Sequence, residues 1–147
     1  FKIAQDSTAA YVAAGRFKTF AAGQSPLPGL VEATLEAGHT PGSTSWTWQS
    51  CEGSACRTIA YVDSLTAISA DGYRFSDHPD YVAMFRRGIA RLRPLECGML
   101  LTPHPSASDM LTRARTGTMV GGMTCAAYAD SKTKALDGRL AKEAAAQ

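Results

Sequence analysis

The sequence predicts a layered α/β or α+β unit, on three observations. Segments of alternating apolar and polar residues recur at 31–37, 44–50 and 58–62. A run with helical spacing follows at Val82, Phe85, Ile89 and Leu92. Polar and histidine-bearing stretches rich in proline and glycine come directly after the strand-like segments, where such folds carry their chemistry. The 147 residues are enough for one domain with a core.

The elements follow in order. Residues 7–14 read as a short helix, with Ser7 as N-cap and Gly15 as stop, and a Pro/Gly loop occupies 25–29. In 31–37, Val31, Ala33, Leu35 and Ala37 alternate with Glu32, Thr34 and Glu36, a half-buried strand that runs into His39. A second strand at 44–50 places Trp46 and Trp48 on one face, and a third at 58–62 leads to Asp63 and Ser64. Cys51 and Cys56 bracket the hairpin tip between them. Residues 65–75 read as a loop. Ser76-Asp77-His78-Pro79 reads as a helix start, and Pro94 ends that helix. Residues 99–101 form a short strand that delivers His104, 106–123 show little regularity, and a helix begins near Thr124. Its charged outer face would hold Lys132, Lys134, Arg139, Lys142 and Glu143, and Gly138 weakens it.

Composition excludes several classes. The chain has 15 Lys and Arg against 13 Asp and Glu. Its basic residues are scattered apart from Arg86, Arg87, Arg91 and Arg93, which fit one helix face, so a nucleic-acid partner is not expected. No apolar run reaches the length of a membrane span. The chain opens on Phe1 without a signal-peptide pattern, which fits either a processed chain or a piece of a longer one. Four cysteines permit two disulfides in three connectivities. Cys51 with Cys56 and Cys97 with Cys125 is the favoured pairing, which would place the chain in an oxidising compartment. Zinc thiolates are the rival reading, without a Cys-x-x-Cys pair or a nearby histidine to support it.

Three stretches could carry chemistry. In Gly38-His39-Thr40-Pro41-Gly42-Ser43 the glycines and proline fix tight bends around His39, a preorganisation that suits a metal ligand. A turn histidine capping a strand has the same pattern, and spacing alone favours it. His104 lies between Pro103 and Pro105, which remove two backbone donors and stiffen the loop; a surface histidine is again the plainer reading. Asp63-Ser64-Leu65-Thr66 offers a carboxylate and two hydroxyls at a strand end, able to orient a water or simply to bond the loop backbone. No Gly-x-Ser-x-Gly elbow supports a serine hydrolase. His78 reads as structural, and Asp6, Asp77, Asp109 and Asp130 as surface or cap residues.

The stretch from Gly38 to Trp48, the Cys51–Cys56 hairpin and Tyr61-Val62-Asp63-Ser64-Leu65-Thr66 together resemble the metallo-β-lactamase superfamily. Asp71 to Pro79 and Thr102-Pro103-His104-Pro105 resemble its third lactamase subclass. The resemblance implies the C-terminal half of an αββα sandwich, as a single partial domain over 1–147. It implies zinc-dependent hydrolysis of β-lactam antibiotics, two Zn2+ ions in the complete site, a periplasmic or secreted location and a small-molecule β-lactam partner. By resemblance, His39 and His104 each supply one ligand to a different zinc. Ser64 stands where a serine hydrogen-bonds metal-bound water, and Thr66 where the substrate carboxylate is contacted. The superfamily's His-x-His-x-Asp-His loop is absent; the chain has three histidines. Residues 11–37 are more similar to the esterase and lactonase branch, in which Asp63 would be a bridging ligand. Ester or lactone hydrolysis, or a non-catalytic remnant module, are therefore the alternatives. A half-sandwich would also expose a sheet face bearing Trp46 or Trp48, with self-association as the expected result.

Overall fold

Strand pairing sets the architecture. A computed structural model describes residues 31–35, 38, 40 and 42–146. The expected helix at 7–14, the loop at 25–29 and His39 lie outside the described residues. Among the described residues, four strands form one mixed sheet in the order β1-β2-β3-β4: β1 Val31–Leu35, β2 Thr44–Glu52, β3 Ala55–Tyr61 and β4 Met99–Leu101. β1, β2 and β3 are antiparallel neighbours, and β4 adds parallel to β3. The hairpin is longer than its alternation suggested. It turns at Gly53 and Ser54, with Cys51 directly opposite Cys56. Gly53 has φ +59° and Ser54 does not share the positive φ, the pattern of a two-residue turn that needs glycine first.

A parallel β3–β4 pair requires a crossover, which here carries α1, Pro79–Leu92. Pro79 occupies the first turn as expected, but neither His78 nor its neighbours cap the helix through a side chain. After β4 come a 3-10 turn at Pro105–Ser108, a short helix α2 (Met110–Arg115) and the long helix α3 (Cys125–Ala145). The stretch expected to be irregular therefore holds two brief helical pieces, each too short to show a period. Thr124 caps α3, its Oγ1 accepting from the Ala127 amide at 3.0 Å.

The core lies between the sheet and the two long helices. Ala60, Val62, Leu65 and Leu100 meet Phe85, Ile89 and Leu92 of α1 and Tyr128, Ala129 and Leu136 of α3. Fully burying an aliphatic or aromatic side chain of this kind contributes about 1.5–3 kcal/mol. The opposite sheet face carries the cross-strand pairs Trp48–Ile59 and Trp46–Tyr61, since residues in register point the same way. Tyr61 is 37% exposed, while Ile59 is buried and both tryptophans are half-buried. The expected aromatic face exists, with part of it covered.

Two charges expected on the outer face of α3 point inward. Lys132 is buried, its ammonium 4.7 Å from the Tyr128 ring centroid, and burial lowers its pKa. Glu143 reaches the 3-10 turn at Phe75–Asp77, accepting from the Phe75 and Ser76 amides at 3.1 and 2.8 Å and from Arg139 Nε at 2.5 Å. Burial opposes its ionisation. The Arg139 hydrogen bond and the two backbone amides outweigh that and hold its pKa at about 2, below the usual 4.5. Asp130 and Asp77 have partners that the sequence did not show, Arg93 and Arg74. His78 is structural as expected, stacked on Tyr73 with centroids 4.5 Å apart.

Both favoured disulfides are present, Cys51–Cys56 and Cys97–Cys125, the second tying the segment before β4 to the start of α3. It closes a separation of 28 residues against 5 for the first. Chain entropy puts their losses at about 3.5 and about 2 kcal/mol respectively. Urea unfolding should therefore show the Cys97→Ala/Cys125→Ala double variant as the less stable. Glu143→Gln should cost about 2 kcal/mol at neutral pH. Because the carboxylate pKa is depressed on folding, that contribution is complete above about pH 4.5 and disappears as pH falls toward 2. The gap between wild type and variant in unfolding free energy should close over that range.

Candidate active site

The sheet register brings three loops to one edge. β3 and β4 run parallel, so their C-terminal ends lie side by side; Val62 N donates to Leu101 O at 2.8 Å, extending the ladder by one step. β2 is antiparallel to β3, so it starts at that same edge, where Leu35 at the end of β1 pairs with Thr44. The connections 36–43, 63–66 and 102–108 therefore converge there. Outside the carboxyl ends of parallel strands is the usual place for a ligand site.

The first loop is clasped from three sides. Gly38 and Ser43 both donate their amides to Thr40 O at 3.2 Å. Tyr81 of α1 donates its hydroxyl to Gly38 O at 2.8 Å. A Cβ on Gly38 would stand 2.6 Å from Leu65 Cδ2 and 2.9 Å from Ser64 O. Only glycine allows this close approach, so the residue beside His39 packs directly on the Ser64 segment. Burial raises the Tyr81 pKa, with the neighbouring Tyr73 adding to it, so the hydroxyl remains a donor at neutral pH.

The second loop is fixed by hydroxyls. Ser43 Oγ donates to Asp63 Oδ2, and the Asp63 amide donates to Ser45 Oγ at 3.1 Å. Asp63 thus serves as a clasp between the loop and β2. Ser64 Oγ donates to Thr66 Oγ1 at 3.3 Å, linking the two hydroxyls that the sequence singled out. In the third loop, His104 is exposed and its carbonyl accepts from Thr102 Oγ1 and the Ala107 amide, both at 2.9 Å. The backbone is held while the imidazole has no hydrogen-bond partner among the described residues.

The donor set is incomplete. Among the described residues no three His, Cys, Asp or Glu side chains group as a metal cage. His104 fits a single ligand position: an accessible imidazole on a loop stiffened by Pro103 and Pro105. A catalytic zinc takes about three protein ligands, so these residues alone do not hold one.

No model of a known protein family matches the sequence. Solved structures do. The metallo-β-lactamase MIM-1 from Novosphingobium pentaromativorans is 46% identical with a TM-score of 0.77, over 86% of this chain and 48% of its own. The metallo-β-lactamase SMB-1 is 41% identical with a TM-score of 0.78, over 86% and 52%. MEM-A1, a subclass B3 metallo-β-lactamase from a soil metagenome library, is 32% identical with a TM-score of 0.76, over 88% and 53%. This chain belongs to the metallo-β-lactamase superfamily. Its likeness extends to subclass B3, the third subclass that the loop motifs suggested. The chain spans about half the length of the solved structures it matches.

Sequence reasoning missed Ser43 and Tyr81. Each acts across a separation, 20 residues to Asp63 and 43 to Gly38, that leaves no local pattern. Gly38→Ala should destabilise the chain by about 1–3 kcal/mol through overpacking, and Tyr81→Phe by about 1 kcal/mol. In both, hydrogen exchange at the Ser43 amide should quicken more than in the β2–β3 ladder.

Proposed function

We propose that this chain is the C-terminal portion of a zinc-dependent β-lactam hydrolase of subclass B3 type. The observation that supports it most is the gathering of Gly38, Ser64 and His104 at one sheet edge in a chain 46% identical to a metallo-β-lactamase. In this reading His39 and His104 each give one ligand to a different zinc. The remaining ligands come from a His-x-His-x-Asp-His loop that this sequence lacks. Zinc held in the complete site, with His39 and His104 among its ligands, would supply Lewis acidity and lower the pKa of a bound water.

The chain's own residues position and orient. The stiff Pro-His-Pro loop holds the backbone from which the His104 imidazole projects, which lowers the entropic cost of ligation. Ser64 Oγ orients the nucleophilic water by hydrogen bonding. Thr66 Oγ1, already bonded to Ser64, meets the substrate carboxylate, so substrate binding and water orientation share one hydroxyl pair. A periplasmic or secreted location accords with the two disulfides, and no described helix is long and apolar enough to cross a membrane.

The test is to join residues 38–147 to the N-terminal half of MIM-1. The chimera should bind two zinc ions and hydrolyse a chromogenic cephalosporin, while this chain alone should do neither. His104→Ala in the chimera should lower kcat/KM by at least about 100-fold, since losing even a hydrogen-bond partner of a metal ligand costs about 10–100-fold. A folded, dizinc chimera without lactam turnover would sink the reading, as would stoichiometric dizinc and turnover in the isolated chain. The sheet face bearing Trp46, Trp48 and Tyr61 is where the other half would pack, so this chain alone should self-associate. Light scattering checks this, and monodisperse monomers at high concentration would count against it.

A further inference from the structure

Arg113 of α2 is only 4% exposed and forms no direct ion pair among the described residues, although the Asp109 carboxylate favours its charge from nearby. A buried cation without a direct ion pair is tolerated only when its N–H groups are bonded elsewhere. Here they go to backbone and hydroxyl acceptors around one loop. Nη2 donates to Leu100 O at 2.7 Å and to Ser108 Oγ at 3.3 Å, Nε to Ser108 O at 2.9 Å, and Nη1 to Met119 O at 3.5 Å. Leu100 lies four residues before His104 and Ser108 four after it, so the guanidinium ties both ends of the loop that carries the imidazole.

The two ends of a hydrogen-bond chain set its direction, since arginine can only donate and a carbonyl can only accept. Ser108 Oγ accepts from Nη2. Thr102 Oγ1 lies 2.8 Å away, and because its own proton goes to the His104 carbonyl it accepts from Ser108. Thr102 then gives its single proton to His104 O at 2.9 Å, with the Met110 thioether as a longer and weaker acceptor at 3.4 Å. The sequence Arg113 to Ser108 to Thr102 to the His104 carbonyl is therefore polarised in one sense by the buried charge.

We propose that Arg113 is a positioning residue for His104, acting through Ser108 and Thr102 to set the backbone from which the imidazole projects. This rests on the reading of His104 as a zinc ligand, and the experiment separates the two claims. In the 147-residue chain, the His104 carbonyl 13C shift and the exchange of the Ala107 amide, which also bonds that carbonyl, report on the loop without metal. Arg113→Met and Thr102→Val should both move the His104 carbonyl signal. Both should speed Ala107 exchange roughly tenfold, the size of one lost hydrogen bond. Thr102→Ser, which keeps the hydroxyl, should remain close to wild type, and the Ile59 and Ala60 amides in β3 should be unaffected. An unmoved His104 carbonyl in Thr102→Val would overturn the proposal, as would equal quickening of every amide in Arg113→Met. If Arg113→Met does not fold, the contrast between Thr102→Val and Thr102→Ser decides alone. Paramagnetic broadening by Co2+ of the His104 ring signals in the chimera with the N-terminal half of MIM-1 tests the ligand reading separately. If none occurs in a folded chimera, that reading fails, while the carbonyl and exchange data from the 147-residue chain still decide the role of Arg113.

Discussion

The parallel pairing of β3 with β4 is the constraint on which the rest depends. It forces a crossover, and the crossover carries α1 over one face of the sheet, where Phe85, Ile89 and Leu92 meet Ala60, Val62 and Leu100. It also places the residues after both strands at a common edge. Because β2 enters the sheet there as well, loops separated by up to 60 residues along the chain become neighbours. Had β4 paired antiparallel, His104 would leave the sheet at the end occupied by the Cys51–Cys56 hairpin, remote from Ser64.

Buried polar groups do the fine positioning. Three clasps use different chemistry for similar ends. Ser43 and Asp63 join a loop to the strand beside it, Tyr81 joins a loop to the helix beneath it, and Glu143 gathers the 3-10 turn and Arg139 around one carboxylate. Exposed ion pairs such as Arg86–Asp137 and Arg93–Asp130 also link α1 to α3, but in water each contributes little, about 0–1 kcal/mol. The interactions that matter for loop geometry are the ones withdrawn from solvent, where an unmade bond is costly.

Much of the frame was legible in the sequence. The alternation around Trp46 and Trp48, the spacing from Val82 to Leu92 and the helix start near Thr124 are local signals, and each became an element close to its expected place. Both disulfide pairings could be read from spacing and hairpin form. The short α2 could not, since six residues are fewer than two helical turns. Lys132 and Glu143 were misplaced on the outer face because charge alone says nothing about a buried ring or a turn waiting to bind it. Of the candidate site, His104, Ser64 and Thr66 were visible as residues on strand-end loops, but their roles came only from likeness to a family. Arg113 carried no signal at all: its three acceptor segments come together only once the fold exists.

The distribution of aromatic residues gives the molecule two separate optical reporters. Both tryptophans lie on β2, two residues apart, on the sheet face turned away from the helices, and the chain has no others. Phe75, Tyr81 and Phe85 cluster instead on the helix side. Indole emission therefore samples the environment of one face, while near-ultraviolet dichroism includes the packing of the other. Anything that covers the tryptophan face would shift emission to the blue without disturbing the helix-side rings, whereas unfolding would change both.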